Sequence, residues 1–263
     1  MTSFPSHRLQ ISVLASGSKG NSIYISNEET AILIDAGLSK SELLLRLAKR
    51  SLSPQKIQAI ILSHEHTDHV RGAYSFSRQF RIPVYATAKT MAQVKEKISG
   101  NPHSYYSFTP EEAFWVDQLE IRPFSISHDA QDPSGFTITF DGIKIGIATD
   151  LGTVTSAVRS HLKNCHLLVL EANHDMEMLL KGPYPWFLKE RIQSEYGHLS
   201  NVDTQALLHE LLHTELKHVI LAHVSEKNNC VHLLKSFFTP FFAITSTTFS
   251  IASQTEGTPL FSI

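Results

Sequence analysis

Ala59-Ile60-Ile61-Leu62-Ser63-His64-Glu65-His66-Thr67-Asp68-His69 is the stretch on which the reading of the whole chain turns. The apolar run 59–62 has the length and composition of a short buried strand, and Val70-Arg71-Gly72-Ala73-Tyr74 looks like the opening of a helix. The tight loop between them holds three imidazoles and the Asp68 carboxylate within six positions. Neutral imidazole nitrogens and carboxylate oxygens are the usual ligands of zinc, manganese and iron. His64 and His66, at alternate positions, can converge on one ion. Asp68 and His69 cannot all reach that ion, but they can serve a second one nearby. A polar loop enriched in His by chance is the competing reading, because the chain carries 15 His. Single His residues therefore mean little here, whereas four ligands in this register at a strand end define a metal site.

The 263 residues suffice for one large domain or two small ones, with ample material for a core. A 42% hydrophobic and 18% charged composition is that of an ordinary globular protein. The formal charge of -2 announces no global basic field for nucleic acid, although a local basic groove remains compatible with it. Two cysteines, Cys165 and Cys230, do not make a disulfide framework and suit a reducing compartment. Met1-Thr2-Ser3-Phe4-Pro5 lacks the layout of a signal peptide, and no run approaches membrane-spanning length. The expectation is a cytoplasmic protein with no membrane partner.

Residues 9–14 alternate toward the turn-rich loop Ser16-Gly17-Ser18-Lys19-Gly20-Asn21-Ser22, and strands follow at 23–25 and 31–34. The loop could offer backbone N–H groups to a phosphate. It lacks a Walker ending and opens no helix, so it reads first as a hairpin-edge loop. Asp35 closes the 32–34 strand, where a buried carboxylate needs partners. With the histidine loop downstream, it is expected to orient a metal-binding His from behind. Ser39-Lys40-Ser41-Glu42 reads as a capping box opening a helix that ends near Arg50. The metal loop leads into a helix reaching about Phe80, then a strand at 83–86 and a helix at 90–98, while 99–110 reads as loop.

Strands at 114–116 and 119–126 run into Ser127-His128-Asp129-Ala130. Asp141-Gly142 between apolar arms signals a type I′ hairpin, and its second arm ends at Asp150. The strand 165–170 ends at Glu171, before Ala172-Asn173-His174-Asp175. After two short helices and a Gly-Pro-Tyr-Pro-Trp loop, Asn201 is expected to cap a helix over 202–213. A strand at 219–222 delivers His223, a helix is expected over 226–238, and strands close the chain at 248–252 and 260–263. Polar ligand types thus recur at strand ends, which favours a single α/β sandwich over 1–263 with its site on one rim.

His209-Glu210-Leu211-Leu212-His213 matches the H-E-x-x-H signature of zinc proteases. It offers only two ligands on an amphipathic helix, and a five-residue pattern arises readily by chance in a His-rich chain. The solvent-facing structural reading is preferred.

With these residues in hand, the chain resembles the metallo-β-lactamase-fold hydrolases: H-x-H-x-D-H stands intact at His64, His66, Asp68 and His69, and His128, Asp150 and His223 follow in the family's order. More narrowly, 14–22, 127–130, 182–186, Gly197-His198-Leu199-Ser200-Asn201 and Ser225-Glu226-Lys227-Asn228-Asn229 resemble the YycJ/WalJ branch. No long insertion is present, so the cap domain of larger nucleolytic relatives is not expected. The resemblance implies an αβ/βα sandwich with two divalent ions. His64, His66 and His128 would hold one, Asp68, His69 and His223 the other, and Asp150 would lie between them. All-N/O ligation is compatible with zinc, manganese or iron. The branch is associated with 5′ exonuclease action on DNA, which makes nucleic acid, DNA before RNA, the expected substrate. In that reading Asp68 and His198 are catalytic, with His198 donating a proton or hydrogen bond to a phosphate or leaving group. Glu171 supports ligands from behind, and Asn173, His174, Lys227 and Asn229 are candidate phosphate contacts. Lys181, Lys189 and Arg191 could form a basic lip.

Three other readings share these residues. A thioesterase, lactonase or cyclic phosphodiesterase could use the same ligands, since a carbonyl is attacked by the same nucleophile. A non-catalytic nucleic-acid-binding scaffold would keep the metal for structure alone. A diiron redox role is remote, because no flavin domain is evident.

Overall fold

In a computed structural model that describes residues 8–263, the chain builds fourteen strands and nine α-helices among the described residues. The opening segment 1–5, read above for targeting signals, lies outside them. The first half runs β1 (Gln10–Ala15), β2 (Ser22–Ser26), β3 (Ala31–Ile34), α1 (Lys40–Ala48), β4 (Ile57–Ile61), α2 (Thr67–Val70), α3 (Ala73–Phe80), β5 (Pro83–Ala86), α4 (Ala88–Lys97) and β6 (Ser104–Ser107). The second continues with β7 (Phe114–Val116), β8 (Leu119–Ser125), β9 (Ser134–Phe140), β10 (Ile143–Ala148), α5 (Ser156–Leu162), β11 (Leu167–Glu171), α6 (Met176–Lys181) and α7 (Trp186–Gln193). It closes with α8 (Asn201–Leu211), β12 (His218–Ala222), α9 (Val231–Ala243), β13 (Thr248–Ile251) and β14 (Phe261–Ser262).

Two seven-stranded sheets result, in the orders β14-β1-β2-β3-β4-β5-β6 and β13-β12-β11-β10-β9-β8-β7. Their inner faces meet in one core that includes Ile11, Ile25, Ile34, Ile61, Phe136, Ile147, Val169 and Ile220. A second core packs the first sheet against Leu43, Leu47, Tyr74, Phe76 and Val94 of its helices. A third packs the second sheet against Val158, Leu162, Leu207, Leu208, Leu234 and Phe238. The layers are therefore αβ/βα, and β3 and β11 are apolar along their whole length up to Glu171 because both faces of each sheet are covered.

The pairings β3–β4–β5 and β10–β11–β12 are parallel, so the ends of these strands, and the loops that follow, crowd onto one rim. Such carboxyl-terminal rims are where open α/β sheets hold ligands. The β9–β10 hairpin turns at Asp141 and Gly142 with φ of 47° and 79°, the two left-handed positions a type I′ turn demands. The loop 16–21 joins antiparallel β1 and β2, as a hairpin loop should.

Several local expectations change. Residues 99–110 are not all loop: β6 pairs with β5 at the sheet edge, and its mostly exposed side chains carry no apolar alternation to betray it. The helix after the metal loop breaks at Gly72 into α2 and α3. Ser200, not Asn201, caps α8 through its bond from Asp203 N, because the Asn201 amide faces Asn229 instead. The helix expected from 226 begins at Val231, since Asn228 and Asn229 are buried in the loop before it. Only half of the α1 capping box forms: Ser39 Oγ accepts from Glu42 N at 3.3 Å, while the Glu42 carboxylate takes Arg46 at 2.7 Å. No helix of the described residues is long and apolar enough to cross a membrane.

Candidate metal centre

Each candidate ligand sits just past a strand on the shared rim. Asp35 follows β3, the 64–69 loop follows β4, His128 follows β8, Asp150 follows β10, Glu171 ends β11 and His223 follows β12. Asp35, Asp150 and His223 adopt left-handed backbone, with φ of 61°, 57° and 51°. That conformation costs a non-glycine residue of order 1 kcal/mol or more and concentrates at functional sites.

Ligand-type atoms come together in overlapping groups whose members lie within 4.8 Å of one another: His64, His66 and His128; Asp68, His69 and His223; and His64, His69 and Asp150. Asp150 stands between the sets. Its Oδ2 lies 3.4 Å from His69 Nε2, and its Oδ1 lies 3.4 Å from His223 Nε2 and 3.8 Å from His128 Nε2. The rings are aimed from behind. Asp35 Oδ2 accepts from His69 Nδ1 at 2.7 Å while the carboxylate also takes Ser63 N and Oγ at 2.8 Å each. His128 Nδ1 donates to Gly197 O at 3.3 Å, and Ser16 Oγ accepts from His223 N at 2.7 Å. Glu171 Oε1 accepts from both His223 Nδ1 at 2.7 Å and His198 Nδ1 at 2.8 Å, leaving both Nε2 atoms toward the rim.

Charges are distributed accordingly. Burial alone would depress His223 and His69, but the carboxylates around them win, raising His223 to about 9 through Asp150 and Glu171 and His69 to about 10 through Asp150 and Asp35. Burial opposes ionisation of Asp150 too, yet the rings of His223, His69 and His128 hold it well below the usual carboxylate range. Glu171 is likewise pulled down to about 2 against its burial by His198 and His223. His64 and His128 are depressed, chiefly by burial.

The donor set fits a divalent cation. His128 Nε2, His223 Nε2 and Asp150 Oδ2 are buried with no hydrogen-bond partner, an expensive arrangement for polar atoms in a protein interior. All three belong to the clustered ligand groups, where a cation would satisfy them together.

The other candidates divide. His198 and Lys227 line cavities at the site, and Asn173 lines one of them while its amide donates to His223 O at 2.8 Å. His174 is only 1% exposed and reaches neither cavity at the cluster. Asn229 is also away from them, with its amide spent on Ala172 O, Asn173 O and Asn201 Oδ1. The basic lip reduces to Arg191: Lys189 is buried with its ammonium on Leu180 O at 2.6 Å, and Lys181 pairs with Glu177. Three further residues at the site were not singled out in sequence: Asn21 and Lys97 come from segments distant in the chain, and Asp129 stands next to His128. Asn21 Nδ2 lies 3.2 Å from Asp68 Oδ2 and 3.0 Å from His69 Nε2. Asp129 Oδ1 lies 3.3 Å from His128 Nε2. Lys97 reaches the cavity over the cluster from α4. The H-E-x-x-H pair is elsewhere: His209 is exposed against the edge of Phe241, and His213 Nε2 donates to Cys165 O at 3.0 Å.

Comparison with known proteins places the chain in a family. Residues 30–224 match the family described as the beta-lactamase superfamily domain. The chain is 35% identical to exodeoxyribonuclease YycJ of Bacillus anthracis over 228 residues, 86% of each chain. It is 34% identical to exodeoxyribonuclease WalJ of Streptococcus pneumoniae serotype 2 over 227 residues, 84% of each. Among solved structures, the metallo-β-lactamase-fold protein YhfI from Bacillus subtilis superimposes with a TM-score of 0.73 at 15% identity, covering 98% of this chain and all of that one. The chain belongs to the beta-lactamase superfamily, of metallo-β-lactamase fold, and within it to the group of YycJ and WalJ. It is a metal-dependent hydrolase.

Proposed function

We propose that the protein is a 5′ exodeoxyribonuclease working with two divalent ions, as a single domain in the cytoplasm. Its similarity to proteins named exodeoxyribonucleases over 86% and 84% of their lengths supports DNA as substrate. The position of Asp150, with one oxygen toward His69 and the other toward His128 and His223, carries the two-ion reading. His64, His66 and His128 would hold one ion, Asp68, His69 and His223 the other, with Asp150 shared. Zinc, manganese and iron all suit such nitrogen and oxygen donors. Bound divalent cations supply Lewis acidity toward a phosphodiester and lower the pKa of water.

The chain's own residues do the rest. Asp35 and Glu171 fix the ring orientations of His69 and His223. Because Glu171 takes the Nδ1 proton of His198, Nε2 is the ring atom left to serve the substrate, and in the protonated ring it gives a proton to the departing oxygen. Free cysteines at 165 and 230 accord with a reducing compartment.

Cleavage of 5′- and 3′-labelled duplex DNA tests the proposal, using metal-stripped protein reloaded with manganese or zinc beside Asp68→Ala. Nucleotide loss from the 5′ end that needs both metal and Asp68 is the expected result. Absence of cleavage by a demonstrably two-metal protein would overturn it.

A further inference from the structure

Asp129 stands beside the cluster with one oxygen committed and the other not. Its backbone N donates to Tyr196 O at 3.1 Å, and Arg191 of α7 places both Nε and Nη2 on Oδ2. Oδ1 accepts no hydrogen bond among the described residues, yet it lies 3.3 Å from His128 Nε2. A hydrogen bond does not explain that approach. His128 Nδ1 spends its proton on Gly197 O at 3.3 Å, so the neutral ring turns the lone pair of Nε2 toward a carboxylate that can only accept. Two acceptors this close repel unless a cation lies between them. Nor does Asp129 orient His66 as Asp35 orients His69, because Oδ1 is 3.9 Å from His66 Nε2, beyond hydrogen-bond reach.

Shared coordination does explain it. Two donors each about 2.1 Å from one ion, at angles between right and tetrahedral, lie about 3.0–3.4 Å apart. His64 Nε2 and His66 Nδ1 are 3.1 Å apart, and the two oxygens of Asp150 are 3.4 Å from His69 Nε2 and His223 Nε2. The 3.3 Å between Asp129 and His128 belongs to the same series. Asp129 is outside the tightest ligand groups, and it reaches His128 from the cavity of about 270 Å³ that it lines with Arg191 and His198.

We propose that Asp129 Oδ1 is a further ligand of the ion held by His64, His66 and His128, with Arg191 as the positioning residue that presents it. The inference rests on the two-ion reading above and deepens it. The added side chain makes the pair unequal. His64, His66, His128 and Asp129 serve one ion, Asp68, His69 and His223 serve the other, and Asp150 is shared. The first ion is therefore the more tightly bound, and its coordination number rises above that of a closed tetrahedral site. Arg191 offsets the negative charge that the extra carboxylate brings.

The test is calorimetric titration of metal-stripped wild type, Asp129→Ala and Arg191→Ala with zinc, beside visible spectra of the same proteins loaded with cobalt. Asp129→Ala removes the oxygen and the ion pair, whereas Arg191→Ala removes the ion pair and keeps the oxygen. We expect the tighter of two wild-type sites to weaken about tenfold or more in Asp129→Ala, with the other site unaltered. The cobalt bands should strengthen in that variant, because they intensify as the coordination number falls. Arg191→Ala should show a smaller loss of affinity and wild-type bands. Wild-type affinity and bands in Asp129→Ala would overturn the proposal. Equal losses in the two variants would also overturn it, leaving Asp129 as half of a surface ion pair. A wild type that takes up one ion, held less tightly by Asp129→Ala, would support the ligand and sink the two-ion reading instead.

Discussion

Glu171 and His198 meet through a 2.8 Å hydrogen bond from the ring Nδ1 to Oε1, and that same oxygen takes the His223 Nδ1 proton at 2.7 Å. The other oxygen accepts from Leu151 N at 2.8 Å and Leu199 N at 3.1 Å. One buried carboxylate therefore fixes two imidazoles and ties the loops after β10 and α7 to β11. Glu171→Gln keeps the shape but turns an NH₂ toward groups that are all donors. Activity should fall about 10–100-fold, the usual cost of losing such a supporting partner, with reduced metal content and a lowered Tm. Metal content and kcat/KM within twofold of wild type would show that Glu171 positions nothing.

Metal uptake should release protons. His69 and His223 are raised to about 10 and about 9 by neighbouring carboxylates, and a ring must shed its proton to offer Nε2 to a cation. Calorimetric titration of stripped protein with zinc near pH 7 should therefore vary with the ionisation enthalpy of the buffer, and affinity should rise with pH toward 9. A buffer-independent heat would contradict this. The linkage also has a sign for the stripped protein's stability. For rings whose folded pKa exceeds the unfolded value near 6.5, the contribution is complete below about 6.5 and fades as pH climbs through 9 to 10. Glu171, depressed to about 2, acts oppositely. Its contribution is present above about 4.5 and disappears as pH falls toward 2. Chemical denaturation across pH should show both losses.

The residues that cluster on the rim were legible in sequence because buried chemistry is loud. Asp35, Asp150, Glu171 and His223 each end an apolar run, where a polar side chain must have a partner. The layered fold followed from the same alternation of strands and helices. What sequence could not carry was set by contacts between distant segments. The left-handed backbone at Asp35, Asp150 and His223 is imposed by the rim, and nothing local announces it. Lys189 looked like a free surface cation until α7 turned its ammonium inward onto Leu180 O. Asn229 looked like a phosphate contact but ties three loop groups together. β6 escaped notice because an exposed edge strand has no buried face to pattern. The H-E-x-x-H match failed for a geometric reason: α8 ends at Leu211, so His213 lies beyond the helix that the motif requires.

Gly37→Ala should damage the metal loop from behind. A Cβ on Gly37 would stand 1.5 Å from Asp68 O and 2.8 Å from Asn21 N, both backbone atoms, which cannot rotate away. The Asn21 N to Asp68 O bond of 2.7 Å would also have to open. We expect destabilisation of about 3 kcal/mol or more, together with loss of the metal dependent on Asp68. Gly142→Ala is the control. Its added Cβ meets nothing within 4 Å although φ is +79°, so the cost should be about 1 kcal/mol with full metal content. Equal effects of the two substitutions would mean that the close approach at Gly37 does not shape the site.

Lys97 should act as an electrostatic contact rather than a catalytic one. It sits in the last turn of α4 and lines the cavity over the cluster, and its ammonium donates to Glu65 O at 3.2 Å. That bond involves no opposing charge, so the full charge is offered to the cavity. A strand held with a phosphate at the cluster would bring a neighbouring phosphate into the cavity that Lys97 lines. Replacing it with Ala removes one ionic contact. The dependence of log K on log salt should then become shallower by roughly 0.7 to 0.9, one counterion's share. Anisotropy with an uncleavable phosphorothioate strand across a salt series measures this directly. Sequence dependence should not change, because a phosphate contact reads no bases. An unaltered slope would remove Lys97 from the strand's path and leave it as a tether for the Glu65 backbone.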